Sequence, residues 1–558
     1  MNRTLPRKAT LACGWERAFM AHFLALACAW GALHCGAAVA AADSRPNIVI
    51  VLVDDMGFSD VGCYGGEIET PNIDRLAAEG LRFTQFYNSG RCCPTRASLM
   101  TGLHPHQAGI GHMTEPPERP LGFDGPYQGH LNDQCTTLAE VLRAAGYHTL
   151  MTGKWHLGYH QQEDWPLQRG FDRYFGIISG AANYFKPGGD RGLTEGNDAC
   201  EPPEGFYATD DFTTRACDYI DEALQQDDRP FFLYLAYNAP HWPLNSKWEE
   251  YKKYRGKYRD GWEALMQRRF ARQKELGLFG DDVQPASHQG PKWDSLNAQQ
   301  RDDLDAIMAA YAGCIDSIDQ NIGKLNEFLE SRGVRDNTVV FFLSDNGACQ
   351  EGGRLGHGNE AMVKDPPLET TNGVHLGQAW ANACNTPFRL YKHFLHEGGA
   401  CTPLIVNWPA GIPQIAHGKI SRQLGYLPDF MPTCLELASA EYPTGKTKHQ
   451  GESLVPLLRG VDEPIHRAPV FWEHEGNAAM RDGNWKLVRR YEQPWELYDL
   501  NANRTEIKRR ASSDELRKQE MIAAWSEWAT RLGVAFPQRF DMYQHLQRLR
   551  QQEKASAE

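Results

Sequence analysis

The sequence predicts an α/β fold, a large mixed and mostly parallel sheet flanked by helices. A smaller C-terminal α+β domain on an antiparallel sheet is expected to follow. Three observations carry this. Asn47–Val53 (NIVIVLV) is a continuous apolar, β-branched run, the mark of a strand covered on both faces. Apolar strands and amphipathic helices then alternate, as parallel βαβ units require. Past about residue 460 the pattern changes to short strands joined by tight turns.

The chain begins with a basic stretch (Arg3, Arg7, Lys8, Arg17), an apolar stretch from Phe19 to Gly31, and the small-residue site Ala38-Val39-Ala40. This order predicts residues 1–40 as a signal peptide, with export to the periplasm or outside the cell. The apolar stretch is short and interrupted by His22 and His34, and no later run spans a bilayer, so no stable membrane insertion is expected. The remainder divides into a main domain over 41–459, a C-terminal subdomain over 460–540 and a polar tail over 541–558. With 41% hydrophobic and 23% charged residues, the 558-residue chain has ordinary globular composition. A net charge of -13 argues against a nucleic-acid binder, which needs a basic face. Of 14 cysteines, Cys13, Cys28 and Cys35 leave with the leader; eleven remain, an odd number, so at least one is free or special.

Taken in order, Thr70-Pro71-Asn72 opens a short helix through Leu76 that Gly80 stops, and Leu81–Tyr87 reads as a strand. Arg96–Thr101 has helical spacing, which puts Cys92 at or just before a helix N-terminus. Thr137 and Glu140 form a capping box ahead of Leu138, Val141 and Leu142, with Gly146 as the stop. A strand over Tyr147–Met151 runs into Gly153-Lys154-Trp155-His156, and one over Phe231–Tyr237 runs into Asn238-Ala239-Pro240-His241. A long helix over Leu304–Leu329 precedes a strand over Thr338–Leu343 that ends in Asp345-Asn346-Gly347. Lys247–Lys274 is strongly charged with a helical pattern and is expected to be a solvated arm or lid. Gly352–His375 lacks a period and reads as a long loop near the site. Val470–Glu473, Trp485–Tyr491 and Glu496–Leu500 are the C-terminal strands, with a turn at Asp482-Gly483-Asn484.

Four strands thus end in polar residues: Asp54-Asp55, Lys154 with His156, His241, and Asp345-Asn346. Ligands of open α/β sheets bind outside the carboxyl ends of the strands, so these groups are expected to meet in one crevice. Three carboxylates and an amide make a hard oxygen cage suited to Ca²⁺ or Mg²⁺ rather than zinc. Arg96, Lys154 and Lys392 add positive charge, and His156 and His241 add proton donors or acceptors, a combination that fits an anionic tetrahedral ester. Trp155, Trp242 and Phe388 are candidates for lining the pocket, though packing is the commoner role of such residues.

Cys92-Cys93-Pro94-Thr95-Arg96, continued by Ala97-Ser98-Leu99-Met100-Thr101-Gly102, resembles the signature of the formylglycine-dependent sulfatases. Gly146–Gly158 resembles their second signature, and Asn385–Pro409 resembles the arylsulfatase branch, which puts the final lysine at Lys392. The resemblance spans roughly residues 45 to 535 and implies the alkaline-phosphatase-like fold with a smaller C-terminal domain. It implies that Cys92 is oxidised to Cα-formylglycine by a formylglycine-generating enzyme during maturation. One hydroxyl of the aldehyde hydrate then attacks sulfur, and deprotonation of the other expels inorganic sulfate. It further implies that Asp54, Asp55, Asp345, Asn346 and the modified Cys92 bind one Ca²⁺ or Mg²⁺, and that Arg96 and Lys154 steady the diol. His156 would accept the proton that triggers elimination, while His241 and Lys392 hold sulfate and protonate the leaving alcohol. The expected substrate is an aryl or carbohydrate sulfate ester. A phosphonate monoester or phosphodiester hydrolase of the same superfamily is the nearest rival, and a non-catalytic secreted binding protein a remote one. Cys93, the variable neighbour in the signature, is expected to point away from the site.

Overall fold

The computed structural model places β1 (Asn47–Val53) within an 11-stranded sheet. From Ser44 onward it describes residues 44–114, 124–364, 367–461, 463–465, 468–507 and 514–534; the expected leader and the tail after Asp541 lie outside these. The other strands are β2 (Leu81–Tyr87), β3 (His148–Lys154), β4 (Arg173–Ile177), β5 (Leu193–Glu195), β6 (Asp198–Cys200), β7 (Phe231–Ala236), β8 (Thr338–Ser344), β9 (Cys401–Asn407), β10 (Lys419–Ser421) and β11 (Gly425–Tyr426). Their order is β10-β2-β9-β8-β1-β7-β3-β4-β5-β6, with β11 also on β2. β8, β1, β7, β3 and β4 run parallel, so their carboxyl ends share one edge. β9 runs antiparallel to both β8 and β2.

Both faces of the sheet are covered, which explains why β1 shows no polar alternation. Val49, Val51 and Val53 pack into a core under the helices α1 (Pro71–Ala78), α4 (Ala208–Gln226) and α7 (Ala298–Ser331). Ile48, Ile50 and Leu52 face the opposite core, under α2 (Cys92–Thr101), α3 (Leu138–Ala144) and α9 (Phe430–Ala438). Thr137 caps α3 through the expected box, its hydroxyl accepting from the Glu140 amide.

The segment Lys247–Lys274 departs from expectation. It forms α5 (Trp248–Tyr254) and α6 (Gly261–Glu275), whose Tyr251, Tyr254, Trp262 and Leu265 are buried in the core shared with α7. Its charges pair with acids along that helix, Lys253 Nζ with Asp316 at 2.7 Å and Arg255 with Asp302 at 2.7 Å. The aromatic residues interleaved with those charges make it a packed layer, not a solvated arm. The loop Gly352–His375 carries α8 (Gly377–Cys384) directly after it.

The second sheet is antiparallel, in the order β12 (Val470–His474), β13 (Asn477–Asp482), β14 (Trp485–Arg489) and β15 (Glu496–Asp499). Ala478, Met480, Leu487 and Leu497 cover Trp525 and Trp528 of α10 (Glu515–Arg531), while Trp472, Ala479 and Val488 join the main core. Its junction with the large sheet is ionic. Glu397, fully buried, accepts from Lys486 Nζ at 2.6 Å, from Tyr87 Oη at 2.9 Å and from Arg504. Burial alone would raise the Glu397 carboxyl, but Arg504, Lys486 and Arg481 hold it down to about 2.

Removing one partner from such a network strands the others unpaired in the interior. Glu397→Ala should therefore destabilise the fold by about 3–5 kcal/mol, read as a lower urea midpoint at neutral pH. A midpoint equal to wild type would mean the network contributes nothing.

Candidate active site

The carboxyl edge of the parallel strands gathers the candidate residues. In the β1–β8 register Val53 faces Ser344, so Asp54-Asp55 and Asp345-Asn346 emerge side by side. The Asp345 amide donates to the Val53 carbonyl at 3.0 Å and the Asp54 amide to the Ala239 carbonyl at 3.0 Å, tying three strand ends together. β3 continues beyond the expected Met151 to Lys154. Gly153 permits this at a close approach, since a Cβ there would lie 1.9 Å from the Ala236 carbonyl oxygen. Asp55 (φ 71) and His156 (φ 59) sit in the left-handed region without being glycine, local strain of the kind concentrated at functional sites.

Three carboxylates and three cations interlock here without solvent. Lys154 Nζ lies 2.5 Å from Asp54 Oδ2, Arg96 Nη2 lies 2.9 Å from Asp345 Oδ2, and Lys392 Nζ lies 2.7 Å from Asp55 Oδ1. All six side chains are buried. Arg96 Nη1 also donates to the Lys154 carbonyl at 2.8 Å, so the cysteine helix is bolted to the end of β3. The Asn346 amide donates to Asp55 Oδ1 at 2.6 Å. His241 Nε2 is 3.5 Å from Asp55 Oδ2, while its Nδ1 donates to the Trp242 carbonyl at 2.7 Å, which fixes the orientation of the ring.

The donor set fits a hard divalent cation. Asp54 Oδ1 and Asn346 Oδ1 are buried oxygens with no hydrogen-bond partner, unusual for polar atoms in an interior. Burial, reinforced by Asp54, pushes the Asp345 carboxyl well above its usual range despite Arg96. Burial is outweighed at Asp54 by Lys154, His241 and Arg96, which hold that carboxyl down to about 2. Two neighbouring acids are thus pushed in opposite directions, a conflict that an additional positive charge between them would relieve.

Cys92 is the first residue of α2 and is 1% exposed. Its thiol is held well below the ordinary range by a hydrogen bond from Cys93 and, against burial, by Lys154 and Lys392. The position therefore favours an anion. His156 Nδ1 has no hydrogen-bond partner, and burial draws its imidazole down to about 4, so it is neutral and able to accept a proton. Gly180 makes room for that ring, since a Cβ there would fall 2.5 Å from it.

Cys93 does not turn away as expected. Its sulfur lies with those of Cys92 and His156 Nδ1 or Nε2 within a 4.8 Å group, while the Thr114 amide donates to it at 3.3 Å. As the second residue of a helix start it cannot leave the vicinity of Cys92. All eleven cysteines of the described residues are free thiols.

Two participants had no sequence signal. Glu351 Oε1 accepts from Arg91, the residue before Cys92, at 2.9 Å, and its Oε2 accepts from the Trp242 indole at 2.5 Å. Neither belongs to a periodic element or follows an apolar strand. Of the aromatic candidates, Trp155 and Phe388 are core residues, and Trp242 is half-buried beside His241.

Comparison with known proteins accords with this geometry. The family described as Sulfatase matches residues 46–440, and the one described as N-sulphoglucosamine sulphohydrolase, C-terminal, matches residues 388–527. An uncharacterized sulfatase of Schizosaccharomyces pombe is 35% identical over 538 residues, 88% of this chain and 95% of that protein. An arylsulfatase of Klebsiella aerogenes is 34% identical over 75% of this chain and 92% of its own length. The N-acetylgalactosamine-6-sulfatase of Homo sapiens is 31% identical, covering 81% and 75%. Among solved structures, Ps i-CgsB in complex with k-i-k-neocarrahexaose superposes with a TM-score of 0.67 at 25% identity, covering 90% of this chain and 96% of that one. A phosphonate monoester hydrolase of Agrobacterium radiobacter, with a TM-score of 0.53, 19% identity and coverage of 88% and 96%, shares the fold alone. The chain belongs to the sulfatase family, whose members hydrolyse sulfate monoesters.

Proposed function

We propose that this sulfatase acts on the sulfate ester of a saccharide, with Cys92 matured to Cα-formylglycine as the source of its nucleophile. The observation that carries the reading is the convergence of Arg96, Lys154, His156 and Lys392 on the Cys92 position, beside a buried oxygen cage. Support for a saccharide comes from the relatives that are N-acetylgalactosamine-6-sulfatases and from the k-i-k-neocarrahexaose bound to the structural neighbour. The named relatives at 30% identity or more are all sulfatases, so the phosphonate rival draws on a shared fold only.

The hydrated aldehyde at Cys92 supplies an attacking hydroxyl and a second hydroxyl whose deprotonation expels sulfate. Asp54, Asp55, Asp345, Asn346 and the modified Cys92 would hold a divalent cation, Ca²⁺ or Mg²⁺, which would supply Lewis-acid polarisation of the sulfate. Arg96 and Lys154 hold the nucleophile in place and balance its charge. His156, neutral and without a hydrogen bond at Nδ1, takes the proton that releases sulfate. Lys392 is kept charged, burial being outweighed by Asp55, and with His241 it grips sulfate oxygens and delivers a proton to the departing alcohol oxygen.

Other assignments complete this reading. Residues 1–40 export the chain to the periplasm or beyond, and a formylglycine-generating enzyme is the partner in maturation. The catalytic domain runs over 41–459, the C-terminal subdomain over 460–540 and the tail over 541–558. Among the described residues no helix is long and apolar enough to cross a membrane.

Three measurements test the site. Cys92→Ala should eliminate turnover and any hydrazine-reactive aldehyde in its peptide, whereas Cys93→Ser should keep the aldehyde; a free Cys92 thiol in active enzyme, seen by mass spectrometry, would refute the nucleophile. Asp345→Ala should lose stoichiometric Ca²⁺ or Mg²⁺ by elemental analysis with an unchanged circular dichroism spectrum, and full metal occupancy in that variant would count against the cage. His241→Ala should slow esters of poorly acidic alcohols by about 10²–10⁴-fold and esters of acidic phenols far less. An equal loss across leaving groups would remove His241 from the proton transfer.

A further inference from the structure

Trp242 follows directly on His241, the residue assigned above to protonation of the leaving alcohol, and its ring lies 5.1 Å from the imidazole. Its indole is locked. Nε1 donates to Glu351 Oε2 at 2.5 Å, and the ring stacks on His375 at 4.6 Å and 29°. His375 is itself held by a backbone bridge to His357, inside the loop Gly352–His375. A half-buried aromatic ring fixed in this way, with His375 against one face, presents what remains exposed of it at little cost in conformational entropy.

A cation stands over that ring. The turn Gly189–Arg191 carries Arg191, whose guanidinium carbon is 5.9 Å from the Trp242 ring centroid. Among the described residues the Arg191 side chain makes no ion pair, although the chain carries a net charge of -13. The buried cations Arg96, Lys154 and Lys392, by contrast, each hold a carboxylate. A planar guanidinium without a partner matches a carboxylate or sulfate in bidentate geometry.

We infer that Trp242 and Arg191 form the leaving-group subsite and that it selects a sugar ring bearing a second anionic group. This rests on the saccharide sulfatase reading above and names its substrate more closely. The sugar ring lies against the exposed edge of the indole, and the second anion, a ring carboxylate or another sulfate, meets Arg191. Glu351 positions the indole by holding Trp242 on one oxygen and Arg91 on the other.

The test uses three sulfated disaccharides that differ on the sulfated ring: one otherwise neutral, one with a carboxylate, one with a second sulfate. Wild-type kcat/KM should favour one or both anionic substrates, the two arms telling which anion is read. Arg191→Met should lower the anionic-to-neutral ratio about ten-fold or more. Trp242→Ala should raise KM for all three more than it lowers kcat, with Trp242→Phe restoring most of the loss. A wild-type ratio near one, or an equal loss on all three in Arg191→Met, would overturn the subsite. Calorimetric titration with the unsulfated anionic disaccharides provides a readout without turnover: binding by wild type that Arg191→Met weakens is expected, and no binding by wild type overturns the inference. An enzyme inactive on every ester that still binds these sugars would sink the sulfatase mechanism and leave the subsite standing.

Discussion

Everything at the carboxyl edge of the sheet depends on three acids that have been forced into the interior together. Asp54, Asp55 and Asp345 emerge from two adjacent parallel strands at matching heights, and no water reaches them. Isolated buried carboxylates would be intolerable, so each must meet a cation from elsewhere in the chain. Arg96 comes from the cysteine helix, Lys154 from the end of β3 and Lys392 from the loop before β9. The same contacts that neutralise the acids therefore fix the relative positions of the segments that bring Cys92, His156 and Lys392 together.

How much of this could be read from residues alone follows from whether each feature has a local cause. β1 was legible because a strand covered on both faces must be apolar throughout, and α3 because its capping box is written in Thr137 and Glu140. The end of β3 was not, since Gly153 and Lys154 carry no β-strand preference and belong to it only through pairing with β7 and β4. β13 was missed for a similar reason, its Asn477-Ala478-Ala479 start having neither alternation nor branched residues. The charged run Lys247–Lys274 misled because its net polarity hid the tyrosines and tryptophan that pack on α7.

The site divides in the same way. Residues at strand ends or within a contiguous signature could be named, because topology or spacing marks them. Glu351 could not. Its place between Arg91 and Trp242 arises from three loops meeting, and nothing near residue 351 announces that meeting. Cys93 shows the limit of reading a motif by which position varies, since a residue free to vary in type is still held by its neighbour's geometry.

The burial of the cysteine helix has a consequence for the order of events in the protein's life. Every residue of α2 is buried, Arg96 is clamped to Asp345, and Cys92 is 1% exposed. An enzyme that acts on the Cys92 sulfur would find no access to it in the finished fold. For the maturation proposed here, the oxidation belongs to the interval before residues as distant as Lys392 and the C-terminal sheet have arrived to close the site. On that proposal a chain that folds first would be sealed as a thiol, and the fraction of active molecules would be decided by a race between modification and folding.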